Sequence, residues 1–326
     1  MNFDFRAYLD AKYPLDSRSL NRDVLENLKQ ALFAKEQLRC LDLGTGTGAM
    51  PKRLIELGLD ASLEIMGFDI DADMIDIATD RLTLYLNGRG FRTESSGRRI
   101  SAHRNQQGIA IAFECASVLD RNPDQNCGNF DLISAHQFMD LVPLEPAVEK
   151  IRNLLAPGGF FYSTLNYDGE TALIPVYSDE EYERKILDNY DLSMEKRKIH
   201  GSPTGGAHSG RRLLGALTSA GFAIHSYGSS DWNITPVNRA YRDRDAFCLK
   251  SLLTLIHDEA SANDAFDPET LATWHSNRSA AIDAGLLGMI VHQLDILAVK
   301  STNPRRTGYS SRSRRLLGSA VSCISF

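Results

Sequence analysis

The sequence predicts an α/β fold: a doubly wound, mostly parallel seven-stranded sheet with helices on both faces and an inserted helical lid after the fifth strand. Three observations lead there. Short apolar runs alternate with helix-period segments through residues 1–166, a pattern that implies a parallel sheet covered on both sides. A glycine-rich bend, "LDLGTGTG", joins the first run to the first of those helices. The chain has 326 residues, 43 % hydrophobic and 24 % charged, enough to bury a substantial core.

The elements follow in order. Residues 1–36 form an N-terminal helical cap containing "YPLDSRSLN". "RCLDLG" is the first strand, followed by a helix with Leu54, Ile55 and Leu57 on one face and Gly58 at its end. "SLEIMGFDI" is the second strand and "DADMIDIATDRLTLYL" its helix. Residues 88–108 are polar, glycine-rich and basic, and read as a loop. "GIAIAFECASV" and "FDLISAHQF" are the third and fourth strands. A helix through Val148, Ile151, Leu154 and Leu155 stops at "APGG", and "FFYSTLN" is the fifth strand. Residues 167–207 are the lid, built on "DEEYERKILDNYDLSMEKRK"; a long insertion after a strand's carboxyl end is placed to cover a ligand. A helix capped near Gly221 leads to a sixth strand, helical patterns follow near 238–257 and 267–284, and "LLGMIVHQLDILAVK" closes the domain at residue 300. Residues 301–326 hold five arginines and no acid, and read as a disordered basic tail.

Removing that tail's +5 from the net charge of −6 leaves −11 on residues 1–300. An acidic body repels a phosphate backbone, so nucleic acid is not an expected partner. No apolar run reaches the roughly 18 residues of a membrane span, and "MNFDFRAYLDAKYPLD" is neither a secretory signal nor an Arg-rich transit peptide. Five scattered cysteines without a CxxC pair point to a reduced, cytoplasmic chain. The histidines form no HExxH motif or Cys/His cluster, so no metal is expected. The terminal "CISF" fits a C-a-a-X box poorly, with Ser at its second "a" position.

An open parallel sheet binds ligands at the carboxyl ends of its strands, so Gly44, Gly46 and Gly48 should face one. Spacing leaves the ligand open: Gly44, Gly46 and Ala49 also satisfy a G-x-G-x-x-A dinucleotide fingerprint. A P-loop fails, because Lys52 follows Pro51 and no GK[ST] is present. Asp42 would repel a pyrophosphate but suits an ammonium or sulfonium.

On these residues the sequence resembles the class I S-adenosylmethionine-dependent methyltransferases. "LDLGTGTG" matches their acidic-x-G-x-G-x-G motif, "GFDIDADMIDIA" the end of their second strand, and "FECASVLD", "FDLISAHQFMDLVP" and "IRNLLAPGGFFYSTLN" the later strands, together covering residues 37–166. The resemblance implies S-adenosylmethionine on Asp42, Gly44, Thr45, Gly46 and Gly48, with Asp69 on the ribose hydroxyls beside Ile70. It puts the adenine near Ser117 and Val118, with Asp120 as the other candidate for the adenine amino group. Gln137 is placed to reach the cofactor, and His136 is the expected general base as well as a cofactor neighbour. Arg18 is a candidate for the methionyl carboxylate.

Asn166, Tyr167 and Asp168 leave the fifth strand on the substrate side, Arg211 and His208 in "GGAHSGRR" are candidates for a substrate anion, and Tyr177 and Trp232 for aromatic walls. Asp140 either orients substrate or starts a turn. The implied function is methyl transfer to an O or N nucleophile of a small-molecule acceptor, by a monomer or homodimer without a membrane partner. An NAD(P)-binding oxidoreductase is the alternative, opposed by Asp42 and the "APGG" turn. A non-catalytic cofactor-binding protein is the other.

Overall fold

The computed structural model describes residues 4–59, 61–120 and 128–301. The expected tail, from residue 302 onward, lies outside the described residues.

Two helices come first, α1 (Phe5–Ser19) and α2 (Arg22–Leu32). The alternation then runs β1 (Gln37–Leu43), α3 (Ala49–Glu56), β2 (Ser62–Asp69), α4 (Ala72–Gly88), β3 (Arg92–Ser96), β4 (Arg99–Arg104), β5 (Gln107–Cys115), β6 (Phe130–His136), α5 (Leu144–Leu154) and β7 (Leu155–Ile174). After it come α6 (Glu180–Glu195), the small hairpin β8 (Lys198–Ile199) and β9 (Ser202–Pro203), α7 (Ser209–Ser219), β10 (Phe222–Ser229), β11 (Trp232–Ile234), α8 (Asp245–Ser261), α9 (Pro268–Asp283) and β12 (Gly288–Lys300).

The main sheet has ten strands among the described residues, in the order β10-β12-β7-β6-β1-β2-β5-β4-β3, with β11 also on β12. The five at its centre, β5, β2, β1, β6 and β7, run parallel. Both margins are antiparallel: β12 against β7 and β10, and β4 against β5 and β3. The strand count therefore corrects the expected seven, the surplus being β3, β4 and β11.

The segment 88–108, expected as a loop, contains the β3–β4 hairpin. Its polar residues face outward while Ile100 and Ala102 are buried, and Ile100 pairs with Ile111 of β5. A two-residue apolar stripe suffices at a sheet edge, where the other face stays in water. The segment expected as a lid from residue 167 starts as strand, because β12 continues to pair with β7 through Thr171 and Ile174.

Three apolar clusters hold the chain together. One packs α2, α3 and α4 on one face of the sheet, and the second packs α5 and α7 on the other. The third lies beyond the carboxyl ends of the parallel strands, where α1, α6, α8 and α9 meet β11 and the ends of β7 and β12. It joins Tyr8, Ala11 and Leu15 of α1 to Ile186 of α6, Leu249 and Leu253 of α8, and Trp274 of α9. No helix among the described residues is long and apolar enough to cross a membrane.

Candidate functional site

The bend after β1 gives each of its glycines a different task. Gly44, Gly46 and Gly48 all hold a left-handed backbone, with φ of +65°, +50° and +83°, which a side chain disfavours. A Cβ on Gly44 would stand 2.5 Å from Cδ2 of Phe138, so that glycine admits the neighbouring ring. A Cβ on Gly48 would press on Leu82 and Ala78 at 3.1 and 3.2 Å. Gly48 thus lets α3 pack on α4 and does not line the cavity, contrary to the expectation that it faces the ligand. Around Gly46 a Cβ would meet nothing within 4 Å, and that is the open cradle. The Gly46 amide donates to Oδ2 of Asp69 at 2.7 Å, and the Asp71 amide donates to Oδ1 at 3.0 Å. Each carboxylate oxygen keeps a further acceptor direction. Asp71 itself caps α4, accepting from the amides of Asp73 and Met74.

A cavity of about 690 Å³ opens from this cradle, within the size range of small-molecule sites. Gly44, Thr45, Gly46, Asp69, Ile70, Ser117 and Val118, all candidates for the cofactor, line it. Asp120 does not; it is exposed, 3.8 Å from His200. Asp42 is a second correction. It is 1 % exposed and lies behind the bend, accepting from the Ser134 hydroxyl at 2.7 Å. Burial pushes its carboxyl up to about 7, so at neutral pH it is no fixed countercharge for a cation.

Between the cofactor wall and the rest of the cavity lies a buried polar network. Lys12 of α1 donates to Oε1 of Gln137 and is 3.3 Å from Oδ2 of Asp16. Gln137 holds φ +50°, and its amide donates to Thr164 O at 3.0 Å. His136 lines the cavity, but its ring nitrogens are already engaged. Nδ1 is 2.7 Å from Oγ1 of Thr164, and Nε2 is 3.2 Å from Oδ2 of Asp16 and 3.1 Å from NH1 of Arg53. Burial and then the Arg53 charge lower its pKa to about 4. A neutral imidazole with both nitrogens committed is a weak base, which goes against the expected proton-accepting role of His136. Burial opposes ionisation of Asp16, yet the Lys12 charge and its other polar neighbours outweigh burial and hold its carboxyl at about 2.

Arg18 is a further correction. Its guanidinium pairs with Asp245 of α8, with Asp243 at 3.8 Å, and it does not line the cavity. The cation from α1 that reaches the cavity is Lys12. A sequence signal for it existed: Lys12 and Asp16 are spaced i,i+4 on the face of α1 that also buries Tyr8, Ala11 and Leu15.

The other half of the cavity is mainly apolar and aromatic, walled by Tyr167, Tyr190, Met194, Trp232, Leu252 and Val291. Of the residues expected on the substrate side, Tyr167 and Trp232 are present. The others are spent on the fold. The Asn166 amide accepts from Ser163 and donates to Leu294 O. Asp168 accepts from the backbone and side chain of Arg211, tying β7 to the start of α7. His208 packs on Gly169, where a Cβ would stand 2.1 Å from its ring. Tyr177 lies under the Arg278 guanidinium, 4.9 Å from it. Tyr190, Met194 and Gln293 carried no local motif and were missed.

In a doubly wound sheet, an open bend after the first strand beside an acidic residue ending the second is where nucleotide ligands bind. A family model described as a methyltransferase domain matches residues 17–227. The chain belongs to that family of methyltransferases.

No curated protein matches the chain. Among solved structures, a protein from Bacillus halodurans assigned to the methyltransferases is 15 % identical, with a TM-score of 0.50 over 86 % of this chain and all of its own. The YcgJ protein of Bacillus subtilis is 14 % identical, with a TM-score of 0.45 over 86 % of this chain and 99 % of its own. The phosphoethanolamine N-methyltransferase 2 of Haemonchus contortus, in complex with phosphomonomethylethanolamine and S-adenosylhomocysteine, is 14 % identical. Its TM-score is 0.42 over 86 % of this chain and 52 % of its own. At such identities the likeness concerns the fold.

Proposed function

We propose that the protein transfers a methyl group from S-adenosylmethionine to the O or N nucleophile of a small, largely apolar acceptor. The observation that carries the reading is the open space at Gly46 beside the Asp69 carboxylate, at one end of a cavity whose other end is apolar. The bound cofactor supplies an activated methyl on a sulfonium. The chain's own residues do the rest. Asp69 accepts the ribose hydroxyls, Ser117 and Val118 flank the adenine, and Lys12 and Gln137 hold the methionyl end. The apolar wall excludes water and aligns the acceptor, an effect worth up to about 7–11 kcal/mol of barrier.

In this reading residues 1–300 are one domain, α1 and α2 are its cap, and the segment around α6 is its lid. The enzyme works on a metabolite in the cytoplasm, in keeping with the free Cys40, Cys115 and Cys248.

Calorimetry with S-adenosylmethionine, S-adenosylhomocysteine and NAD tests the reading. Both sulfur nucleosides should bind and NAD should not. Asp69→Ala should weaken S-adenosylhomocysteine by about 1.5–3 kcal/mol, the range for hydrogen bonds to a charged group. An unchanged affinity removes Asp69 from the site.

A further inference from the structure

Four carboxylates line the cavity, those of Asp16, Asp69, Asp71 and Asp140. Three are engaged: Asp16 by Lys12 and its polar neighbours, Asp69 by two backbone amides, and Asp71 by the start of α4. The carboxylate of Asp140 accepts no hydrogen bond from another residue among the described ones; its nearest cation, the half-exposed Arg197, is 4.0 Å away. Asp140 lies in the single turn Met139–Leu141 directly after β6. That turn is clamped from above. The Gly205 amide donates to Val142 O at 3.0 Å, and a Cβ at Gly205 would stand 2.3 Å from Met139 O. The backbone of Asp140 is held, while its side chain has its own backbone amide as donor and none from another described residue.

Its surroundings define what would complete it. The charged and titratable groups that sense it are Arg197, Lys12 and Tyr190, and Tyr190, Tyr167 and Trp232 supply aromatic rings to the same cavity. A carboxylate whose only cation partner is a half-exposed guanidinium 4.0 Å away, among aromatic and aliphatic side chains, favours a ligand that brings a positive N–H group. It repels an anionic acceptor. Resting on the methyltransferase reading, we propose that the acceptor is a small apolar amine and that Asp140 is the catalytic residue that holds its nitrogen and takes its proton.

Asp140 accepts one proton from the ammonium form of the amine. The freed lone pair bonds to the methyl carbon, the carbon–sulfur electrons stay with sulfur, and the N-methylated ammonium leaves while Asp140 returns its proton to solvent. Burial raises the Asp140 carboxyl to about 6, a value suited to receiving and releasing a proton near neutrality.

The test is calorimetry on the full chain saturated with S-adenosylhomocysteine, using phenethylamine, 4-ethylphenol and 3-phenylpropionate as probes. The amine should bind at least tenfold more tightly than the other two. Asp140→Asn should lower the amine's affinity at least tenfold while S-adenosylhomocysteine stays within twofold. Should that variant fail to fold, Arg197→Gln, which removes the competing cation, should tighten the amine at least threefold. No amine binding, equal binding of phenol or acid, or an amine affinity indifferent to these substitutions overturns the inference. Failure of S-adenosylhomocysteine itself to bind the wild-type chain overturns the cofactor reading instead.

Discussion

On the cofactor side of the cavity, Gly44, Gly46, Asp69, Ser117 and Val118 come from consecutive strand ends of the parallel sheet. On the acceptor side, Tyr8 of α1 meets Asp140 after β6, Tyr190 of α6, Trp232 of β11 and Leu252 of α8, elements from both ends of the chain. The first wall is made of backbone amides and a carboxylate set by strand register, with Asp42, Gly67 and Leu43, Phe68 paired across β1 and β2. The second is made of side chains whose positions depend on how four helices pack. The glycine bend and the Asp69 carboxylate thus depend on the sheet, and most of the apolar wall on a separate helical layer, with Lys12 of α1 and Asp140 after β6 lying between the two.

The strongest way to break that division is at the buried pair holding α6 to α9. Glu183 accepts from Nε1 of Trp274 at 2.8 Å and from Nε of Arg278 at 2.6 Å, and both charged residues are buried. Glu183→Ala strands a buried guanidinium and should cost about 3–5 kcal/mol of stability in urea denaturation. Affinity for S-adenosylhomocysteine should stay within twofold below the unfolding transition. A matching loss of cofactor affinity would join the two walls into one unit.

Acid–base behaviour sharpens the contrast from the sheet side. Burial raises Asp42 from 3.8 to about 7 in the folded chain, so folding favours its protonated form. That contribution is full below about pH 4 and is lost as pH rises through 7. Asp140 and Asp295, both raised to about 6 chiefly by burial, act in the same direction. Asp16, held at about 2, acts oppositely and loses its contribution only as pH falls below about 4. His136, lowered to about 4, also acts oppositely and offsets part of the loss below about pH 6.5; between pH 5 and pH 8 the stability of the wild-type chain should still fall. Asp42→Asn should remove on the order of 3 kcal/mol of that decline, measured as the difference between urea midpoints at the two pH values. An undiminished slope would place the titration elsewhere.

A smaller effect is expected at the cradle itself. Gly46→Val puts two methyl groups into open space at φ +50°. S-adenosylhomocysteine affinity should drop roughly 30-fold, about 2 kcal/mol, and equilibrium dialysis reads this directly. Full affinity would mean that the ligand does not approach that backbone.

Much of the cofactor wall was legible because its residues are neighbours in sequence as well as in space. Gly44, Gly46, Asp69 and Ser117 follow strands that announce themselves as apolar runs. Where the structure differs from the sequence expectation, a residue of suitable chemistry is engaged by something distant. Arg18 was taken by Asp245 and the His136 ring by Asp16, Arg53 and Thr164. Asp168 and Arg211 were spent on each other. The β3–β4 hairpin escaped because only Ile100 and Ala102 mark its buried face.

The amino-acid order alone determined the alternating architecture, the bend at Gly44–Gly48 and the acidic end of β2, since period, glycine and charge act over a few residues. Only the packed chain decided which wall each side chain serves. Burial and pairing are settled by partners far along the chain: α1 brings Lys12 and not Arg18 to the cavity, and the Asp140 carboxylate is left there with no hydrogen bond from any other described residue.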